Sequence, residues 1–99
     1  MTGNIGHTYH IMRRMKKVVI YTADLCIHCD WAIDLLNRKN IKFTEHNVAR
    51  DAAKREEMLK KSNGAKTVPQ IFIGEHYVGA NVELQALEKE GELNSLLGI

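Results

Sequence analysis

The chain is poor in cysteine, proline and aromatic residues, with two Cys, one Pro, one Trp, three Tyr and two Phe among 99 residues. No apolar run approaches the roughly 18 residues that a membrane-spanning helix needs. The first 15 residues lack the apolar core of a signal peptide. We therefore expect a cytoplasmic protein with no membrane partner, in a compartment where a structural disulfide rarely persists.

Excess charge of one sign is also missing, because 14 basic residues face 12 acidic ones and the net charge is +2. The basic residues form only two short clusters, at 13–17 and 60–61, and aromatic residues are not interleaved with them. We interpret these clusters as solvated ends of elements and predict no nucleic-acid partner. The length allows one domain. Residues 1–15 fit no strong pattern and are interpreted as an N-terminal extension or leader, and residues 16–99 as the domain.

Apolar periodicity divides the first half of this domain into three elements. Residues 17–22 are a continuous apolar run, which predicts a central strand covered on both faces. Residues 41–48 predict a second strand, joined to the first by a right-handed crossover and therefore parallel to it. Between them we expect a helix over about 26–39. Its buried face should carry the apolar residues at helical spacing: Cys29, Ala32, Ile33 and Leu36.

The second half continues with a charged surface helix over 51–61 and a third strand over 67–73. Gly74-Glu75 has the pattern of a type II′ hairpin turn, followed by a short antiparallel strand over 76–78. Asn81 is a candidate N-cap for a further helix. The order βαβ and then ββα predicts an α/β fold with a four-stranded mixed sheet flanked by helices.

The two cysteines stand three residues apart, where the first strand gives way to the first helix. Thiols at this spacing close a disulfide with little backbone movement, and the amides and dipole of a helix start favour a thiolate. In a cytosolic chain such a pair is catalytic or metal-binding. A closed zinc site takes four Cys or His ligands, whereas Cys26, His28 and Cys29 supply at most three. We therefore predict no metal site.

Three further segments carry a resemblance to a known family. They are Ala-Lys-Arg-Glu-Glu-Met-Leu at 53–59, Thr-Val-Pro-Gln-Ile-Phe-Ile at 67–73 and Leu-Gln-Ala-Leu-Glu at 84–88. Together with the cysteine pair, they make the chain resemble the glutaredoxin family over roughly residues 16–97. The resemblance implies the thioredoxin fold. It also implies reduction of protein disulfides and of glutathione mixed disulfides, with glutathione as the electron donor and no permanently bound cofactor.

The two thiols are expected to have different roles. Cys26, at the helix start, should be the exposed nucleophilic thiolate, and Cys29, one turn inside on the buried face, the resolving thiol. By the resemblance, Cys26 alone suffices to remove glutathione from proteins, and Cys29 is needed for dithiol reduction.

The resemblance also implies a glutathione site. Pro69 is expected to be a cis-proline beside the disulfide, which turns the backbone of Val68 toward a substrate for short β-like pairing. The amides of Asn81 and Val82, at a helix start, should bind the γ-glutamyl carboxylate. Lys66 matches a position that is often basic and is assigned to the glycyl carboxylate, with a solvated loop lysine as the alternative. The implied glutathione-binding set is Lys66, Thr67, Val68, Pro69, Asn81 and Val82.

The chain departs from the family pattern between its cysteines, where Ile27 and His28 replace Pro-Tyr. An imidazole there can donate to the Cys26 thiolate or attract it as imidazolium. This predicts a Cys26 thiol more acidic than a free cysteine and a couple more oxidising than that of a typical glutaredoxin. The alternative is a His28 that points to water.

Two other departures weaken the expected binding of glutathione. Ala23 stands where the family usually has a basic residue, and Asp24 beside it adds a negative charge. Residues 79–83, Gly-Ala-Asn-Val-Glu, replace a Gly-Gly pattern, so that Val82 offers only its amide.

Two alternative functions stay open. Family members that lack the proline sometimes bind a [2Fe–2S] cluster between two subunits, and Ala23 is compatible with a donor fed by thioredoxin reductase. We expect a monomer whose partners are glutathione and disulfide-containing proteins.

Overall fold

The computed structural model describes residues 15–99, so that the interpretation of residues 1–15 lies outside the described residues except for Met15, which is exposed. The elements follow one another in the expected order. In chain order they are β1 (Val18–Thr22), α1 (Ile27–Arg38), β2 (Thr44–Asn47), α2 (Ala52–Lys61), β3 (Gln70–Ile73), β4 (His76–Gly79), α3 (Asn81–Lys89) and α4 (Leu93–Leu97).

The four strands form one mixed sheet in the order β2-β1-β3-β4. Strand β1 runs parallel to β2 and antiparallel to β3, and β3 is antiparallel to β4. At the β3–β4 turn Gly74 has a φ of 59°, which the hairpin pattern requires of its first residue. The result is the predicted four-stranded mixed sheet flanked by helices, which is the thioredoxin fold.

The side chains of β1 alternate between two cores, because successive residues of a strand face opposite sides of the sheet. Val18 and Ile20 lie in the larger core, which α1, α3 and α4 cover. Tyr21 lies in the smaller core with Met58 of α2 and Phe72 of β3. As predicted, β1 is covered on both faces, and this fixes the position of the segment that follows it.

Two strands are shorter than the sequence pattern predicts. Strand β2 begins at Thr44, because the preceding Ile41 is buried in the core and donates its N–H to the Leu36 carbonyl at 2.9 Å, outside the sheet. Strand β3 begins at Gln70, so that residues 67–69 lie beyond the sheet.

Two details of the helices also differ from the prediction. The N-cap of α3 is Ala80, and Asn81 is the first helical residue, whose side-chain oxygen accepts a hydrogen bond from Gln85 at 3.0 Å. In α1, Leu35 is buried and Ile33 only half-buried, because α1 packs against α3 as well as against the sheet. None of the helices in the described part of the chain has the length and apolar character needed to cross a membrane.

Candidate active site

Cys26 is the N-cap residue of α1, directly after the loop that leaves β1. Its backbone is extended, and its Sγ accepts the N–H of Cys29 at 3.1 Å. The sulfur thus takes the place that a Ser or Asp oxygen usually occupies at a helix start. A backbone N–H directed at this sulfur, together with the positive end of the helix dipole, stabilises the thiolate form.

Cys26 and Cys29 form a disulfide, with their Cα atoms 5.2 Å apart. The two residues differ in exposure: Cys26 is half-buried, whereas Cys29 is 2% exposed. An incoming sulfur therefore reaches Cys26 first. The division into attacking and resolving thiols stays a prediction.

The Val68-Pro69 segment lies against the disulfide. The Val68-Pro69 bond is cis, as expected, and the Val68 carbonyl oxygen lies 3.8 Å from Cys26 Sγ. The sheet register explains this proximity. Tyr21 of β1 pairs with Gln70 of β3, so that the residues before β3 meet the loop that follows β1. Pro69 is buried and Val68 half-buried.

Gln70 is a residue of this site that the sequence interpretation missed. It is 3% exposed, and its Nε2 donates to the Thr67 carbonyl at 2.9 Å while its Oε1 accepts the Tyr77 hydroxyl proton. Gln70 therefore ties the Thr67–Pro69 segment to β4. A glutamine next to the apolar run Ile71–Ile73 was the signal, because a buried amide needs polar partners.

The remaining glutathione-binding candidates lie in two places. Lys66 and Thr67 are exposed and follow directly into Val68. Asn81 and Val82 begin α3, whose first helical bond runs from the Leu84 N–H to the Ala80 carbonyl, so that the amides before Leu84 have no partner within the helix.

Helix α3 starts beside α1, which also carries the cysteine pair. Gln85 Nε2 lies 3.5 Å from the Trp31 carbonyl oxygen. A cavity of about 300 Å³ is lined by residues of both helices: Trp31, Asp34, Arg38, Asn81 and Gln85. The structure thus joins Cys26 directly to Cys29 and Val68 and sets the start of α3 against the same helix. Among residues 15–99, Lys66 and Thr67 form no hydrogen bond with either cysteine and adjoin the disulfide through Val68.

His28 is exposed, and its ring packs edge-on against the Trp31 ring, with the centroids 5.1 Å apart. Among residues 15–99 no hydrogen bond joins His28 to Cys26. The influence of His28 on the thiol stays a prediction.

Asp24, two residues before Cys26, is part of a polar cluster that the sequence interpretation did not foresee. Its Oδ1 accepts a hydrogen bond from Asn47 Nδ2 at 2.9 Å and lies 3.0 Å from Arg50 Nη2, and its Oδ2 accepts a hydrogen bond from Arg50 Nε at 3.3 Å. The guanidinium and then the amide lower the pKa of Asp24. The negative charge beside Ala23 is therefore offset by Arg50, which follows β2 in the chain.

Comparison with known proteins agrees with this geometry. The glutaredoxin family model matches residues 18–78. Glutaredoxin 3 of Escherichia coli strain K12 is 46% identical over 83 residues, which are 84% of this chain and 99% of that protein.

Solved structures give the same result. The solution structure of glutaredoxin from Brucella melitensis is 44% identical, with a TM-score of 0.73, and the match covers 86% of this chain and 91% of that one. The dithiolic glutaredoxin 2-C-Grx1 from Trypanosoma brucei brucei is 32% identical, with a TM-score of 0.72 and coverage of 88% and 93%. The chain therefore belongs to the glutaredoxin family and is a glutathione-dependent thiol–disulfide oxidoreductase with a CxxC pair.

Proposed function

We propose that Cys26 is the attacking thiol of this reaction and Cys29 the resolving thiol. The observation that supports these roles is the position of Cys26 Sγ, which accepts the Cys29 N–H at 3.1 Å while Cys29 itself is buried. An accessible thiolate is the competent nucleophile in disulfide exchange. A buried neighbour one helical turn inside reacts only after Cys26 has formed a mixed disulfide.

The exchange proceeds in two attacks. The Cys26 thiolate attacks one substrate sulfur, the substrate disulfide breaks, and its second sulfur leaves as a thiolate. The Cys29 thiolate then attacks Cys26 Sγ, releases the substrate thiolate and closes the Cys26–Cys29 disulfide. Two glutathione thiols reduce this disulfide again and leave as glutathione disulfide.

We further propose that glutathione pairs with the Val68 backbone as a short extended segment. The Val68 carbonyl oxygen lies 3.8 Å from Cys26 Sγ, which puts a peptide acceptor beside the reacting sulfur. The proposal assigns the γ-glutamyl carboxylate to the amides of Asn81 and Val82, and the glycyl carboxylate to Lys66, next to Thr67. Pro69 holds the Val68 backbone in place.

The partners and setting that we propose are glutathione and disulfide-containing proteins, encountered by a monomer in the cytoplasm. The domain is assigned to residues 16–99, with 1–15 as an extension.

The test is a coupled assay on a glutathione mixed disulfide with the wild type, Cys26→Ser and Cys29→Ser. We expect Cys26→Ser to be inactive and Cys29→Ser to keep activity on this substrate. With an intramolecular protein disulfide as substrate, we expect both variants to fail, because release of the mixed disulfide then needs Cys29. Full turnover by Cys26→Ser would show that the roles are wrongly assigned.

A second candidate function, a glutathione-dependent dimer that carries a [2Fe–2S] cluster, is favoured by one observation. Ile27 stands where proline is common, and it keeps a backbone N–H at the helix start that proline lacks. Protein reconstituted with iron, sulfide and glutathione should be coloured and dimeric if it is a carrier. A colourless monomer with activity favours the enzyme.

A further inference from the structure

We propose that three exposed apolar side chains beside Cys26 select protein disulfides in which a large apolar residue neighbours the attacked cysteine. We call them the apolar rim: Leu25, Ile27 and Trp31. The proposal rests on the function proposed above, because it takes Cys26 as the attacking thiol. It concerns which protein substrates are preferred.

Leu25 is the least expected member of the rim. Its side chain is fully exposed, and its φ is 53°, in the left-handed region that few residues other than glycine and asparagine adopt. The side chain therefore adds nothing to the core, and the backbone conformation disfavours it. Local strain of this kind concentrates at functional sites, and this residue directly precedes the reacting cysteine.

Ile27 and Trp31 extend the rim on the other side of Cys26. They are 58% and 50% exposed, and their i, i+4 spacing puts them on the same side of α1. The edge-on contact with His28 orients the Trp31 ring. Leu25 and Ile27 are thus the two chain neighbours of Cys26, and Trp31 follows Ile27 by one helical turn on the same side of α1.

The occupant of the rim is fixed by the reaction. A substrate must bring its sulfur to Cys26 Sγ, so that the groups next to that sulfur come against Leu25 and Ile27. In glutathione these groups are a γ-glutamyl and a glycyl unit, which carry no apolar side chain. In a protein they include the residues before and after the cysteine. The rim therefore acts on the protein substrate and not on glutathione.

The test uses two synthetic peptides, each with one intramolecular disulfide, that differ only in having Leu or Ser beside each cysteine. The measured quantity is the ratio of kcat/KM for the two peptides, each divided by its rate constant with glutathione alone. A contact that buries roughly 40 Å² of apolar surface corresponds to about fivefold in this ratio. We expect the wild type to prefer the Leu peptide by about this factor.

Leu25→Asn is the test variant, because asparagine tolerates the left-handed backbone, so that the loop keeps its conformation while the apolar side chain is lost. We expect its preference to fall to about twofold or less, with Ile27 and Trp31 retaining the rest. Ile99→Ser is the matched control. Ile99 is 51% exposed and lies near the other end of β1, since the Leu97 carbonyl accepts the Lys16 N–H. This control should keep the wild-type ratio.

Equal normalised kcat/KM of the wild type for the two peptides would overturn the proposal. An unchanged kcat/KM ratio in Leu25→Asn, or a lost preference for the Leu peptide in Ile99→Ser, would also overturn it. A wild type that reduces neither peptide, while its mixed-disulfide activity is also absent, would instead refute the proposed function. Because the two kcat/KM values are compared within each variant, a change in the reactivity of Cys26 that affects both peptides equally cancels.

Discussion

Replacing Gln70 with leucine tests whether the fold positions the Val68 backbone through a single buried amide. Leucine has a similar volume, so that it leaves little cavity. It removes the Nε2–H donated to the Thr67 carbonyl at 2.9 Å and the Oε1 that accepts the Tyr77 hydroxyl. Both partners lie on exposed residues, where water replaces the lost bonds in part.

The magnitude follows from these two bonds. An intramolecular hydrogen bond contributes about 1 kcal/mol net, so that we expect Gln70→Leu to lower the free energy of unfolding by about 1–2 kcal/mol. In a domain of this size such a loss lowers Tm by roughly 5–10 °C. A less restrained Thr67–Pro69 segment pairs less well with glutathione. We expect KM for a glutathione mixed disulfide to rise about fivefold, equivalent to ~1 kcal/mol, while kcat is kept because Gln70 does not touch Cys26.

Thermal unfolding and steady-state kinetics of the wild type, Gln70→Leu and Tyr77→Phe measure the two effects separately. Tyr77→Phe is the control, since it removes only the bond from β4 and leaves Gln70 bonded to Thr67. It should change KM by less than twofold. A Gln70→Leu protein with a lower Tm but an unchanged KM would refute the reasoning, because Gln70 would then stabilise the fold without positioning the segment.

Two further predictions concern pH and redox potential. The Tyr21 hydroxyl donates to the Glu57 carboxylate and is the main reason that the pKa of Glu57 is lowered, with Lys54 contributing. A carboxyl with a lowered folded-state pKa adds stability above its ordinary pKa and loses it as pH falls through the folded-state value. Tyr21→Phe should therefore reduce the loss of unfolding free energy that occurs as the pH falls below about 5. The reduction should be no more than ~1 kcal/mol, because Glu57 is partly exposed. An identical pH dependence in the wild type and the variant would contradict this. His28→Tyr should give a more reducing couple in glutathione redox buffers, and an unchanged potential would show that the imidazole does not act on Cys26.

Most of the fold could be predicted from the sequence alone, because the local periodicity of apolar residues indicates strands and helices. The apolar run over 17–22 and the stripe that contains Cys29 are readable one element at a time. A strand–helix–strand unit commonly forms a right-handed crossover, which predicted the parallel pairing of β1 with β2 that the structure shows. The spacing of the cysteines also predicted the helix-start position of Cys26, and the segments at 53–59, 67–73 and 84–88 carried the resemblance to the glutaredoxin family.

Other features were fixed by contacts between residues far apart in the chain. Arg50 offsets Asp24, and Gln70 accepts the Tyr77 hydroxyl proton, because the sheet brings separate strands together. Asparagine is a common N-cap residue, yet α3 begins one residue earlier than predicted. Ala80 is its N-cap, and the Asn81 side chain accepts a hydrogen bond from Gln85. This shift is local, since the hydrogen bond joins residues four apart in the same helix.

The conformation of Leu25 shows the same division. Sequence gives a leucine before the first cysteine and nothing about its backbone. In the tertiary structure β1 packs between two cores and Cys26 caps α1, and Leu25 between them has a left-handed backbone and an exposed side chain. The sequence by itself therefore determined the reactive pair and its family. Tertiary structure decided what surrounds the sulfur, because the surroundings come from segments that meet only after folding.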